Sequence, residues 1–289
     1  MIAIQDLATQ TRHVPGFIDF MATDGRYIWA TNQNKLQKFS TQQYEPIAEI
    51  EVPQAAGIPV VAFEAVWVAS LKDNAIYKID QKNNVVLNII YTGLADQTGE
   101  FALTASADAI WVASAEGIIS KIDPDTCEVI GEVEVLAFSY NLCYANGALW
   151  ISNTRDASIQ RIDPIQLKVT HRIEVDDCPW FISAHSNFLW SLNQTNGTLS
   201  KINTQTCELV CTIQLPALAQ GDGGDIFASD NKVWVRTTRL LLIEIDAEHH
   251  EIIRQIQHDA NTGSGAVMLC DQHIWITAHD IETLWLYPV

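Results

Sequence analysis

Val66-Trp67-Val68-Ala69-Ser70, followed by Ile76-Tyr77-Lys78-Ile79-Asp80, decides the fold. Both halves alternate small or branched apolar residues with others at period two, the pattern of half-buried strands. Lys72-Asp73-Asn74 between them supplies turn chemistry. The same phrase returns along the chain around Trp29, Trp67, Trp111, Trp150, Trp190, Trp234 and Trp275, at intervals of 38 to 44 residues. A period of that size marks one supersecondary unit per repeat.

Each repeat holds more than the tryptophan. A second phrase lies about ten residues on, as in Lys38-Phe39-Ser40, Lys121-Ile122-Asp123, Arg161-Ile162-Asp163, Lys201-Ile202-Asn203 and Glu244-Ile245-Asp246. A third alternating run follows, such as Glu128 to Val135, and an apolar run precedes each tryptophan, such as Pro59 to Phe63 and Phe101 to Thr104. Four short strands per unit, A to D, with tryptophan on B and the Lys-Ile-Asp phrase on C, predict an all-β, seven-bladed β-propeller of four-stranded antiparallel blades. The indoles read as wedges between neighbouring blades. Lys-Ile-Asp reads as a buried Ile flanked by solvated charges. The last repeat has A (Gly265 to Cys270), B (His273 to Ala278) and C (Thr283 to Tyr287) but no D. The run Met1 to Leu7 is therefore expected to pair with Thr283 to Tyr287 and complete the last blade, which removes an open edge. Residues 1–289 form one domain on this reading.

Thirty-five acidic against 17 basic residues give a formal net charge of −18. Such an acidic surface repels phosphate backbones and anionic headgroups, so neither nucleic acid nor membrane is expected as a partner. The N-terminal run lacks a basic leader and a long apolar segment, and a cytoplasmic location is expected. Six cysteines, with no CxxC, read as buried free thiols of a reducing compartment. Cys127 and Cys207 fall at matching places, read as the start of strand D.

The φ-Trp-φ-Ala/Ser phrase with its following Lys-Ile-Asp, most clearly in Val66 to Asp80 and then in Ile110 to Pro124, resembles the YVTN/streptogramin-lyase-like propellers, the virginiamycin B lyase-like group. The resemblance covers the whole chain as architecture and implies a propeller fold. In the lyases of that group a His following a Pro at the start of an A strand, with Glu and His nearby, serves Mg²⁺-assisted ring opening of a cyclic depsipeptide. The matching strand starts here read Pro15-Gly16-Phe17, Cys178-Pro179-Trp180 and Gly263-Ser264-Gly265. None carries the His, so no catalytic residue is transferred.

In a propeller the D-to-A and B-to-C loops share the face around the channel mouth. Those loops hold the non-periodic aromatic and charged residues. Tyr140 and Trp180, with Phe138, are candidates to wall a pocket; an extra core aromatic is the competing reading. Arg155, Arg236 and Arg239 are candidates to bind a carboxylate or phosphate; pairing with Asp156, Asp176 or Asp225 competes. Asp222, Asp225, Asp259 and Asp280 are candidates for Ca²⁺ or Mg²⁺, without any EF-hand spacing. His13, His258 and His279 are candidates for acid–base work. No GxSxG, HExxH or P-loop occurs. The expectation is a small-molecule-binding propeller with a ligand at Tyr140, Arg155, Trp180, Asp225, Arg239 and His279, a lyase- or hydrolase-type site being left open. The alternative is a non-catalytic protein-interaction scaffold.

Overall fold

Each Trp phrase forms the second strand of a four-stranded antiparallel sheet, and seven such sheets stand in a ring. The computed structural model describes residues 1–93, 102–221 and 223–289; Asp222 and Phe101 lie outside them. Blade 1 is Ile18–Thr23, Tyr27–Asn32, Lys35–Ser40 and Pro46–Glu51, from hub to rim. The innermost strands of the next six blades are Ala55–Ala62, Ala102–Ala105, Ser139–Ala145, Pro179–His185, Gly224–Ala228 and Val267–Cys270. Each packs on its neighbours, and Val267–Cys270 returns to Ile18–Thr23.

The indoles do the wedging that their period implies. Trp29 lies among Val66, Val68, Tyr77 and Ile79 of blade 2, and Trp150 among Ile182, Leu189 and Ile202 of blade 5. The ring closes when Trp275 meets Ile18, Ile28 and Phe39 of blade 1. All seven periodic indoles are buried, at most 2% exposed. An indole of this kind contributes ~4 to 6 kcal/mol of transfer free energy.

The Lys-Ile-Asp phrase departs from expectation. Two of its lysines, Lys38 and Lys201, are buried rather than solvated. Lys38 Nζ sits 4.6 Å from the Trp29 ring centroid and donates to Gln81 O of the next blade at 2.8 Å. Lys78 likewise reaches Pro124 O at 2.6 Å, and Lys201 reaches Ala247 O at 2.7 Å. The long stem runs over the indole, and the ammonium caps the next blade's C-to-D turn. The aspartate builds the turn of its own blade. Asp80 Oδ1 accepts the Lys82 and Asn83 N–H groups, and Asp123, Asp163 and Asp246 repeat the arrangement. These turns end in a left-handed residue, and Cys127 and Cys207 occupy that position (φ 61° and 60°) rather than strand D. None of the six cysteines is in a disulfide.

The N-terminal segment does close the ring, but with other residues than Met1 to Leu7. Gln10–His13 is the outer strand of blade 7, pairing antiparallel with Thr283–Pro288 in the register Gln10↔Leu286 to His13↔Thr283. Ile2–Ala3 instead adds a fifth, parallel strand to blade 6 beside Ile256 and Gln257. Between them Ile4 opens a 3-10 turn and is fully buried with Trp234, Ile256 and Trp285. An apolar run at the N-terminus serves as an anchor between blades, while the polar run that follows suits a rim strand.

Closure also explains the one reversed charge in the repeat. Blade 7 has no C-to-D turn for a lysine of blade 6 to cap. Glu244 stands there instead, and its Oε1 accepts Trp234 Nε1 at 3.1 Å and the Tyr287 hydroxyl at 2.6 Å. Truncation separates the two N-terminal roles. Removing residues 1–3 should lower the melting temperature by a few degrees, whereas removing residues 1–13 should yield oligomers or insoluble protein, because it bares the edge Thr283–Pro288. Thermal circular dichroism and size-exclusion chromatography check this; equal behaviour of the two truncations would contradict the assignment.

Candidate functional site

The inner strands run from the mouth to the opposite face, and aromatic side chains cross the mouth. Tyr140 of blade 4 stacks on Trp180 of blade 5 at 4.5 Å between ring centroids, so the structure joins these two sequence candidates. Trp180 in turn neighbours Phe181 at 6.5 Å, and Phe181 meets Phe20 of blade 1 at 6.0 Å. Phe20 and Phe181 are buried, and the space left beside Tyr140 is about 10 Å³. The row plugs the upper channel. Below it lies a cavity of about 330 Å³ lined from all seven inner strands, Met21, Ile58, Leu103, Leu142, Ile182, Phe227 and Met268 among them. The sequence reading missed this space; its signal is the apolar residues of the A strands, which read as core.

The arginines have separate fates. Arg155 is exposed and lies over the Phe138 ring, 3.1 Å from its centroid. Arg239 is exposed, with no ion pair among the described residues. Arg236 is fully buried and donates to the carbonyls of Thr277 (3.2 Å), Gly263 (3.1 Å), Ser264 (3.3 Å) and Thr237, and to Thr262 Oγ1. It ties blade 6 to the loop and second strand of blade 7. Burial lowers its pKa to about 10, opposed by Asp19, Asp280 and Asp225. Asp156 pairs with Arg172 and Asp176 accepts from Thr198, so neither takes the arginines considered above.

Asp225 faces Arg236 in register but bonds to backbone. Its carboxylate accepts the N–H groups of Ile226 at 2.8 Å and Val267 at 3.1 Å. Burial nonetheless pushes its pKa up to about 7, against those bonds and the Arg236 charge. His279 lies in a 3-10 turn, stacked on Phe17 at 3.8 Å, with Nδ1 2.7 Å from Asp280 Oδ1. Burial lowers its pKa, opposed by Asp280. His13 is 3.6 Å from Glu282, and His258 packs beside Trp285. Asp259 and Asp280 are exposed. Among the described residues no three His, Cys, Asp or Glu side chains converge on one metal position. The six candidates thus divide into an aromatic pair at blades 4 and 5, a buried polar knot at blades 6 and 7 with His279 above it, and two separate exposed arginines.

Solved structures share this architecture. A streptogramin B lyase structure superposes with a TM-score of 0.82 at 16% identity, over 96% of each chain. The fold is that of a virginiamycin B lyase-like propeller. Virginiamycin B lyase from Staphylococcus aureus gives a TM-score of 0.81 at 14% identity, over 97% of this chain and 99% of that one. BamB from Moraxella catarrhalis gives 0.69 at 11% identity, over 95% and 86%. No protein-family model and no curated protein matches the sequence. No helix among the described residues is long and apolar enough to cross a membrane.

Two substitutions test the polar knot. Arg236→Met should destabilise by ~3 kcal/mol or more, since several buried carbonyls lose their donor; urea unfolding measures it. For Asp225, folding tightens the hold on the proton. Between the ordinary carboxylate range and about pH 7 the folded state binds more protons than the unfolded one, so stability falls as pH rises through that window. Asp225→Asn should abolish that slope: melting temperatures at pH 5 and pH 8 should differ less in the variant than in the parent.

Proposed function

We propose that this protein is a small-molecule-binding propeller whose ligand occupies the hub cavity beneath the aromatic plug. The carrying observation is the space of about 330 Å³ with walls from all seven inner strands. That volume is within the range of small-ligand sites, and polar and apolar groups share the lining about equally. Asn141, Ser183 and Thr104 supply the polar contacts, and Asp225, whose carboxyl is shifted toward the protonated form by burial, adds a further polar group. A compact molecule carrying both apolar and hydrogen-bonding groups fits such walls. The stacked pair Tyr140 and Trp180 closes the mouth side, so entry is from the opposite face. Six cysteines without a disulfide support a cytoplasmic setting.

A lyase-type activity is a second reading, favoured by one observation. The His279–Asp280 pair, held at 2.7 Å and kept toward neutrality by burial, is suited to act as a base at the mouth.

Thermal-shift screening of a small-molecule library separates these. Hub ligands should stabilise the parent and the variants Trp180→Ala and Arg239→Ala, and should lose their effect in Thr104→Trp, which fills the cavity. Ligands whose effect is lost in Trp180→Ala or His279→Ala but kept in Thr104→Trp would move the site to the mouth. A screen without any stabilising compound would remove the basis for the small-molecule reading.

A further inference from the structure

We propose that the cleft between blades 5 and 6, on the face opposite the mouth, binds an organic cation of the guanidinium type. The cleft measures about 340 Å³ and shares no residue with the hub cavity. Phe188 and Trp190 form its apolar wall, Lys201 lies across them, and Asp230 and Glu248 supply carboxylates.

The chain contains its own filled version of this cleft, between blades 1 and 2. Registered on their tryptophans, Tyr27 corresponds to Phe188, Lys38 to Lys201, Gln81 to Ala247 and Asn84 to His250. The contacts match. Lys38 Nζ lies 4.1 Å from the Tyr27 centroid and bonds Gln81 O and Asn84 Oδ1. Lys201 Nζ lies 4.1 Å from the Phe188 centroid and bonds Ala247 O and His250 Nε2. In blade 1 the remaining space is taken by two side chains. The Arg26 guanidinium stands 5.1 Å from the Tyr27 centroid, and the Gln81 side chain crosses the cleft to Asp24.

Both fillers are missing between blades 5 and 6. Asn187 replaces Arg26, and its Oδ1 turns away to accept from Asn146 and Gln205. Ala247 replaces Gln81 and ends at its Cβ. The aromatic wall, the lysine and the turn are retained, and the volume of a guanidinium is left beside Phe188. The acidic partner has moved rather than vanished. Asp230 of blade 6 stands at the opening, 75% exposed at its side chain, with Oδ1 held by His185 Nε2 at 2.7 Å and Ser186 Oγ at 3.2 Å. Among the described residues its other carboxylate oxygen accepts no hydrogen bond, and it is available for the forked pairing that a guanidinium makes. A second cation beside the lysine is tolerated, because Arg26 and Lys38 already coexist over Tyr27. A guanidinium is favoured over a compact ammonium, since it stacks on the ring while donating in its own plane.

Amide chemical-shift titration of the full-length protein tests this, with ethylguanidinium as probe and N-ethylurea as its neutral isostere. Ethylguanidinium should shift the amides of Phe188, Asp230 and Ala247 saturably, and N-ethylurea should not. Ala247→Gln restores a residue that the chain already uses in the filled cleft, so it should melt like the parent and weaken binding at least tenfold; Asn187→Arg should weaken binding likewise, with a lower melting temperature because Asn146 and Gln205 lose their acceptor. Asp230→Asn should weaken it several-fold. Thr104→Trp, which fills the hub, should leave it unchanged. Equal binding of the urea, or undiminished binding in Ala247→Gln at parental stability, would overturn the proposal. With the site supported, N-acetylarginine methylamide identifies the source: tighter binding than ethylguanidinium points to a peptide arginine, equal binding to a free guanidino compound.

Discussion

Everything in this ring depends on how one indole meets the next blade. A periodic tryptophan buries its flat side against the apolar B and C strands of its neighbour, and that burial, at ~4 to 6 kcal/mol per side chain, is the dominant inter-blade attraction. Area alone leaves the angle between sheets loose. In blades 1, 2 and 5 the lysine of the following strand supplies the missing direction: Lys38, Lys78 and Lys201 cross the indole and end on a carbonyl of the next turn. A charge-assisted bond of this sort contributes only ~1.5 to 3 kcal/mol, so it does not hold the ring by itself. Its contribution is geometric, since the bond forms only when adjacent blades stand at one rotation.

Two departures follow from closure, whereas Lys121 and Arg161 bond Asp108 and Thr170 within their own blades. Blade 7 takes its outer strand from Gln10–His13 and so lacks a turn for blade 6 to cap. Glu244 then receives Tyr287 and the indole N–H of Trp234, and Arg254 lies 3.5 Å from its second oxygen. At the seam between blades 7 and 1, Leu286 stands opposite Trp275 where a lysine would be, and Tyr44 from the blade 1 turn packs 5.9 Å from that indole. Neither seam can use the standard clamp, and each replaces it with an aromatic hydroxyl or ring.

Blade number, strand order and the place of each indole were legible because inter-blade packing repeats, and a repeated requirement leaves a repeated residue. The closing strand was less so. Met1 to Leu7 has the apolar look of a strand, but an outer strand faces solvent, and Gln10–His13 meets that need with polar residues. Apolarity marked the anchor Ile4 instead. Of the site, the stacking of Tyr140 on Trp180 could be suspected from two aromatics at equivalent places in adjacent repeats. The fate of Arg236 could not. An arginine serving five backbone and hydroxyl oxygens has the same one-dimensional appearance as one offered to a ligand, and only the loop Thr262 to Ser264 distinguishes them. Lys-Ile-Asp misled in the same way, because its lysine is amphipathic and its burial depends on an indole in the neighbouring strand.

A ring of repeats carries an internal standard for each of its own surfaces. Where all seven units agree, the residue answers to packing, as the indoles do. Where one unit departs and a neighbour compensates, the departure still answers to packing, as Glu244 with Tyr287 does. Ala247 and Asn187 are of a third kind. They remove volume from a cleft whose walls are kept, and no neighbouring side chain moves in to fill it. An open cleft over an aromatic wall forfeits dispersion contacts that Gln81 and Arg26 provide elsewhere in the same molecule. A bound cation placed where Arg26 lies in blade 1 would recover those contacts.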